Sequence, residues 1–174
     1  NIVTPNAHQP IYGGNASDGY IAKFLPNGQL LWATYYGGQE IDKINGVITD
    51  NDGNIYIVGQ TNSDDNIYHS GYQPQRGGMN DAFVVKFNPL GARMWGTYYG
   101  GGSDDFGYGI TLDTDDNIFI TGSTESDNLI SVQGNVPNRQ GQVDAFVSSF
   151  DTDGFIRWGT YYGGSSNDVG TTIT

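Results

Sequence analysis

The apolar residues of this 174-residue chain lie in short runs alternating with polar positions, and the runs end at Gly, Asn, Asp or Pro. Asp81-Ala-Phe-Val-Val-Lys-Phe-Asn88 is rich in β-branched and aromatic residues and stops at Asn88-Pro-Leu-Gly91, which predicts a strand and a tight turn. The return run carries Trp95-Gly-Thr-Tyr-Tyr99. A period of two puts Trp95, Thr97 and Tyr99 on one face and Gly96 and Tyr98 on the other. Two more strands are predicted over 108–112 and 117–122, joined by the acidic turn Asp113-Thr-Asp-Asp116. No segment has an apolar period of 3.6 over a helical length, so the expected class is all-β.

The pattern then repeats. Trp32, Trp95 and Trp158 stand 63 residues apart, each opening a Trp-x-Thr-Tyr-Tyr-Gly-Gly phrase. Asp18, Asp81 and Asp144 keep that spacing, as do Asp42, Asp105 and Asp168. Without a gap, 81–111 and 144–174 share 18 identities in 31 positions, and 18–65 and 81–128 share 22 in 48, which is beyond coincidence. The copies run 18–80, 81–143 and 144–174, about 2.8 repeats in all.

Four short antiparallel strands per unit, repeated in tandem, form the blades of a β-propeller, which shields strand edges by radial stacking. The whole of 1–174 is therefore expected to be part of one propeller, with blades near 44–99 and 107–162 and an incomplete ring that further blades of a longer protein complete. Gly46 and Gly109 ease crowding on the expected innermost strands, and Gly96 is expected to admit a neighbouring sheet. Each unit exceeds a common blade by one insertion, 62–80 or 125–143, of 19 residues. Such loops are expected to project from one face of the ring, where function concentrates.

Composition narrows the function classes. The net charge of −12 comes with only 15% charged residues, so basic residues are scarce and there is no stripe to bind nucleic acid. No apolar run approaches 18 residues, which argues against membrane insertion. Without cysteine there is no disulfide, thiol nucleophile or Cys-ligated metal. The 13% aromatic content supplies enough apolar area for an ordered core.

Each candidate for chemistry has a plain structural counterpart. Asp50 with Asp52, and Asp113 with Asp115, place carboxylates at alternate positions as calcium loops do. Neither turn has the distal bidentate Glu in register, so self-bonded Asx turns are preferred and calcium is the weaker reading. The recurring Asp18, Asp81 and Asp144, like Trp32, Trp95 and Trp158, are read as structural, because a catalytic site is made once while these recur in every unit. Adjacent acids such as Asp64-Asp65 are read as solvated charge and not as a glycosidase couple. His8 and His69 are read as surface residues, and no nucleophile, zinc or phosphate motif is present. Tyr12, Tyr68 and Tyr72, the last two in the first long loop, are candidate ligand contacts, as is an outward member of each Tyr-Tyr pair. Asn15-Ala16-Ser17 fits a glycosylation sequon and is read as coincidental.

These phrases resemble the SBBP-type (seven-bladed β-propeller) repeat family. The residues that carry the likeness are Asp81-Ala-Phe, Trp95-Gly-Thr-Tyr-Tyr-Gly-Gly101, Asn117-Ile-Phe-Ile-Thr-Gly-Ser-Thr124 and Ala7-His-Gln9. Ala33 and Gln60 depart from the Gly and Ser of the other copy. The resemblance implies a propeller within an exported or cell-surface bacterial protein, and it carries over no catalytic residue. The expected function is a non-enzymatic scaffold that presents long acidic loops to a protein partner or in adhesion. A glycan-binding propeller is the alternative, and a hydrolase with its site in further blades is less favoured. No cofactor is expected beyond the weak calcium reading.

Overall fold

The computed structural model describes residues 2–14 and 17–174, so the Asn15-Ala16-Ser17 sequon lies partly outside the described residues. Ten strands follow one another: β1 Gly19–Phe24, β2 Leu30–Tyr36, β3 Asp42–Thr49, β4 Ile55–Thr61, β5 Asp81–Phe87, β6 Arg93–Tyr99, β7 Asp105–Leu112, β8 Ile118–Thr124, β9 Asp144–Phe150 and β10 Ile156–Tyr162. No helix occurs among the described residues. The strands form a β1–β2 hairpin and two four-stranded sheets, β3-β4-β5-β6 and β7-β8-β9-β10 in spatial order, antiparallel throughout. These are propeller blades in an open arc. They span 42–99 and 105–162, each starting two residues before the sequence-based bounds because Asp42 and Asp105 pair in register with Thr61 and Thr124.

The turns form as their residues dictate. Gly28, Gly91 and Gly154 donate their N–H to the carbonyls of Leu25, Asn88 and Asp151, three residues back. Side-chain packing then joins the sheets in two layers. Tyr36 and Ile21 of the hairpin meet Ile57, Phe83, Val85 and Phe87 of the first blade. Tyr56, Val84, Trp95 and Tyr99 of that blade meet Ile118, Ile120, Phe146 and Phe150 of the second. A middle blade buried on both faces explains why β5 carries the unbroken apolar run 82–85: all seven of its residues are buried. The predicted alternation holds, with Trp95 and Tyr99 facing the second blade and Tyr98 facing back toward the hairpin.

The long loops do not stand away from the ring. Each folds back along the outermost strand of its own blade, His69 bridging Gly96 and Gln73 bridging Tyr98 in the first, and Val132 bridging Gly159 in the second. A Cβ on Gly96 would stand 2.5 Å from the loop's own Ile67 carbonyl and 3.1 Å from the Tyr36 hydroxyl of the neighbouring hairpin, so the position admits both the loop and the adjacent sheet. The loop covers an edge strand that would otherwise be open to pairing.

Candidate functional site

Two buried tyrosine hydroxyls clamp each long loop, one from its own blade and one from the unit before. Tyr98 Oη donates to Ser63 O at 2.9 Å and Tyr36 Oη to Ile67 O at 2.9 Å. The second loop repeats this, with Tyr161 Oη on Ser126 O at 2.9 Å and Tyr99 Oη on Ile130 O at 2.7 Å. Burial pushes all four phenols up, that of Tyr161 to about 12, so they remain donors across the neutral range. Ile67 and Ile130 are buried as plugs under the loops.

The recurring carboxylates fasten the rest. Asp81 accepts from Gly77 N, Gly78 N and Gln73 Nε2, and Asp144 from Gln140 N and Gly141 N. Asp18 takes Gly13 N and Gln9 Nε2 in the same way. Asp42 Oδ2 accepts from Gly38 N and Ser63 Oγ, while its Oδ1 accepts from Thr61 Oγ1. Arg76 pairs with Asp64 at 3.0 Å and Arg139 with Asp127 at 2.9 Å, each Arg also donating to two carbonyls of its own loop. These arginine struts, like Ile67 and Ile130, went unnoticed in the sequence, although each keeps the 63-residue spacing.

The loop backbones match although their sequences do not. Asn66 and Leu129 have φ of 61° and 64°, and Ser70 and Gln133 have 58° and 53°, at equivalent positions. A left-handed Leu is strained, and anchors on either side hold it there. The anchoring parts are therefore buried, while the exposed tips differ: Met79 against Gln142 and Asn66 against Leu129, with the exposed Tyr68 answered by a half-buried Ser131. An open groove beside Glu40, Asn62, Asp64 and Arg76 recurs beside Ser103, Glu125, Arg139 and Asn167. Two carboxylates and one Arg in each loop leave only a net −1 apiece, so the loops are mildly acidic; the hairpin turns and the buried junctions hold most of the Asp.

The other candidates separate cleanly. Tyr68 is 40% exposed, whereas Tyr72 packs partly buried against the core and donates its N–H to Gly154 O of the second blade at 3.0 Å. Tyr98 and Tyr99 are both buried, so neither is an outward platform, whereas in the last pair Tyr161 is buried and Tyr162 faces outward. Asp50 is consumed by Asn54 N, Asn54 Nδ2 and Tyr56 Oη, and Asp113 by Asp115 N, Asn117 N and Asn117 Nδ2. Burial works against the Asp50 charge, yet the Asn54 and Tyr56 bonds hold its carboxyl low; the Asn117 amide does the same for Asp113. Asp52 is exposed, and among the described residues no three His, Asp or Glu side chains are grouped to hold a metal ion. Trp32 and Trp95 reach into the next unit, donating to Pro89 O at 3.1 Å and Thr152 O at 2.9 Å. His8 departs from a surface reading: it packs on Tyr36 and Phe87, and burial, with Arg93 and His69 nearby, lowers it to about 4. His69 is exposed.

Blades of four antiparallel strands, joined face to face by aromatic layers, define a β-propeller scaffold. The family described as the SBBP beta-propeller repeat matches residues 31–72 and 95–130, each match running from the outer strand through two inner strands into the long loop. These two segments carry the repeat of that family. It is also 28% identical over 157 residues to an uncharacterized WD repeat-containing protein of Acanthamoeba polyphaga mimivirus, across 74% of this chain and 11% of that protein. The chain thus spans about a tenth of that relative's length.

Proposed function

We propose that this propeller segment is a non-enzymatic display scaffold whose two long loops, on an exported or cell-surface protein, engage a protein partner. The observation that carries this is the division within the loops: identical buried anchors hold one backbone shape, while the exposed tips change from copy to copy. Scaffolds that separate a fixed frame from variable tips recognise partners through the tips. The relative's description as a WD repeat-containing protein fits a propeller used for interaction. A glycan ligand is the second reading, favoured by the exposed Tyr68 ring, two residues from the exposed Asn66.

A photocrosslinking side chain placed singly at Tyr68, Met79, Leu129 or Leu90 separates these readings. Leu90 lies on a hairpin turn and is 84% exposed, so it controls for exposure alone. Protein adducts at the loop positions and not at Leu90 support the reading. Equal labelling at Leu90 contradicts it, and binding confined to a glycan array, lost in Tyr68→Ala, transfers the function to sugar.

A further inference from the structure

At the junction between the two blades, carboxyl groups from different blades face each other. Asp81 opens β5 and Asp105 opens β7, and both are fully buried. A Cβ on Gly100 would stand 2.5 Å from the Asp81 carboxyl carbon and 2.7 Å from Asp105 Oδ2, so only glycine fits between them. The arrangement recurs around Gly37, between Asp18 and Asp42, and around Gly163, between Asp144 and Asp168. It is built into the repeat.

The surroundings offer few counter-charges. Arg76 acts on Asp81 through space, but its own hydrogen bonds go to Asp64, Gly78 O and Met79 O. The Tyr99 and Tyr161 phenols that face Asp105 are neutral. Neighbouring Asp104 is bonded to Asn80. Asp105 Oδ2 already accepts from Gly101 N at 2.7 Å and Ser126 Oγ at 2.8 Å, whereas Oδ1 is buried without a hydrogen-bond partner. Two carboxylates this close and this dry do not both ionise readily.

We propose that Asp81 and Asp105 together hold one proton, seated on Asp105 Oδ1, and that releasing it loosens the loop end anchored by Asp81. A proton on Oδ2 would displace an existing donor; one on Oδ1 displaces none. Burial first, and the Asp81 charge after it, push the Asp105 carboxyl up to about 7 against the nearby Thr124 hydroxyl and the bonds from Gly101 and Ser126. Burial raises Asp81 as well. A carboxyl raised in the folded state contributes stability that is complete below its unfolded value and is lost as pH climbs through about 7. Strand ladders fix β5 and β7, so the parts that yield are the 73–80 loop end and the 100–104 connection, which hang on these carboxylates. The device does not depend on which ligand the loops take.

The test is a carbon-detected NMR titration of the Asp side chains, with amide exchange at Gly77, Gly78 and Gly101 read in the same samples. The expected Asp105 midpoint lies near 7. Asp81→Asn should lower it by about one pH unit, a tenfold change in proton affinity. After correction for the intrinsic rate, exchange at the three glycines should rise about tenfold between pH 6 and 8. That rise should survive high salt, which screens surface charge but not a buried pair. Asp105→Asn should flatten it; should that variant not fold, the wild-type titration still decides. An Asp105 midpoint in the ordinary carboxylate range, or glycine protection that does not change across neutral pH, overturns the proposal.

Discussion

The phrases 95–99 and 158–162 are the same five residues on equivalent strands, yet they live in different surroundings. Tyr99 is fully buried, with its ring edge-on to Phe146 and Phe150 at 5.3 and 5.5 Å and its hydroxyl on Ile130 O. Tyr162, its counterpart, is 72% exposed. On the receiving side, Phe83 and Phe87 are buried beneath Tyr36, while their counterparts Tyr20 and Phe24 are 64% and 58% exposed. The difference teaches that the repeated aromatic phrase does not stabilise its own blade alone. It is half of a joint, and the following unit supplies the other half with two aromatic rings and a glycine turn.

Mutations at paired positions can break or sharpen this contrast. The largest effect is expected at Trp95, which is 4% exposed, packs on Tyr56 and lies over Gly154 of the next blade, where a Cβ would come within 2.7 Å of the ring. Trp95→Ala should cost about 3–5 kcal/mol in urea unfolding, and Trp158→Ala less than half as much. Equal losses would mean that the junction adds nothing. Next comes Tyr99→Phe, which strands the Ile130 carbonyl and should cost roughly 1–3 kcal/mol. Tyr162→Phe should stay within about 0.5 kcal/mol.

Smaller effects probe the loops. Leu129→Asn relieves the left-handed strain in the way the first copy already does with Asn66, and should gain about 0.5–1 kcal/mol; the reverse, Asn66→Leu, should lose a similar amount. Asp127→Ala removes an ion pair whose carboxylate side chain is 79% exposed, and should cost only about 0.2–1 kcal/mol, with most of that gone in high salt.

Much of this could be read from the chain. The 63-residue spacing gave the blades, their strand order and the structural part played by Trp95 and Asp81, because repetition and alternation are written one residue at a time. The path of the long loops could not be read in that way. It is fixed by contacts such as Tyr36 with Ile67 and Tyr99 with Ile130, 31 residues apart, between a hydroxyl and a carbonyl that leaves no mark on residue identity. The same holds for Tyr72, an apparently free loop aromatic that serves as a strut, and for His8, which stacks on rings from two other elements. The arginine struts were within reach, since Arg76 and Arg139 share the period of the tryptophans.

The central claim is that each tryptophan phrase is a joint completed by the next unit, and its most direct test is acrylamide quenching of three single-tryptophan variants. With the other two replaced by Phe, Trp95 should emit furthest to the blue and quench least, while Trp158 quenches readily. Trp95 and Trp158 quenching alike, with the same emission maximum, would contradict it.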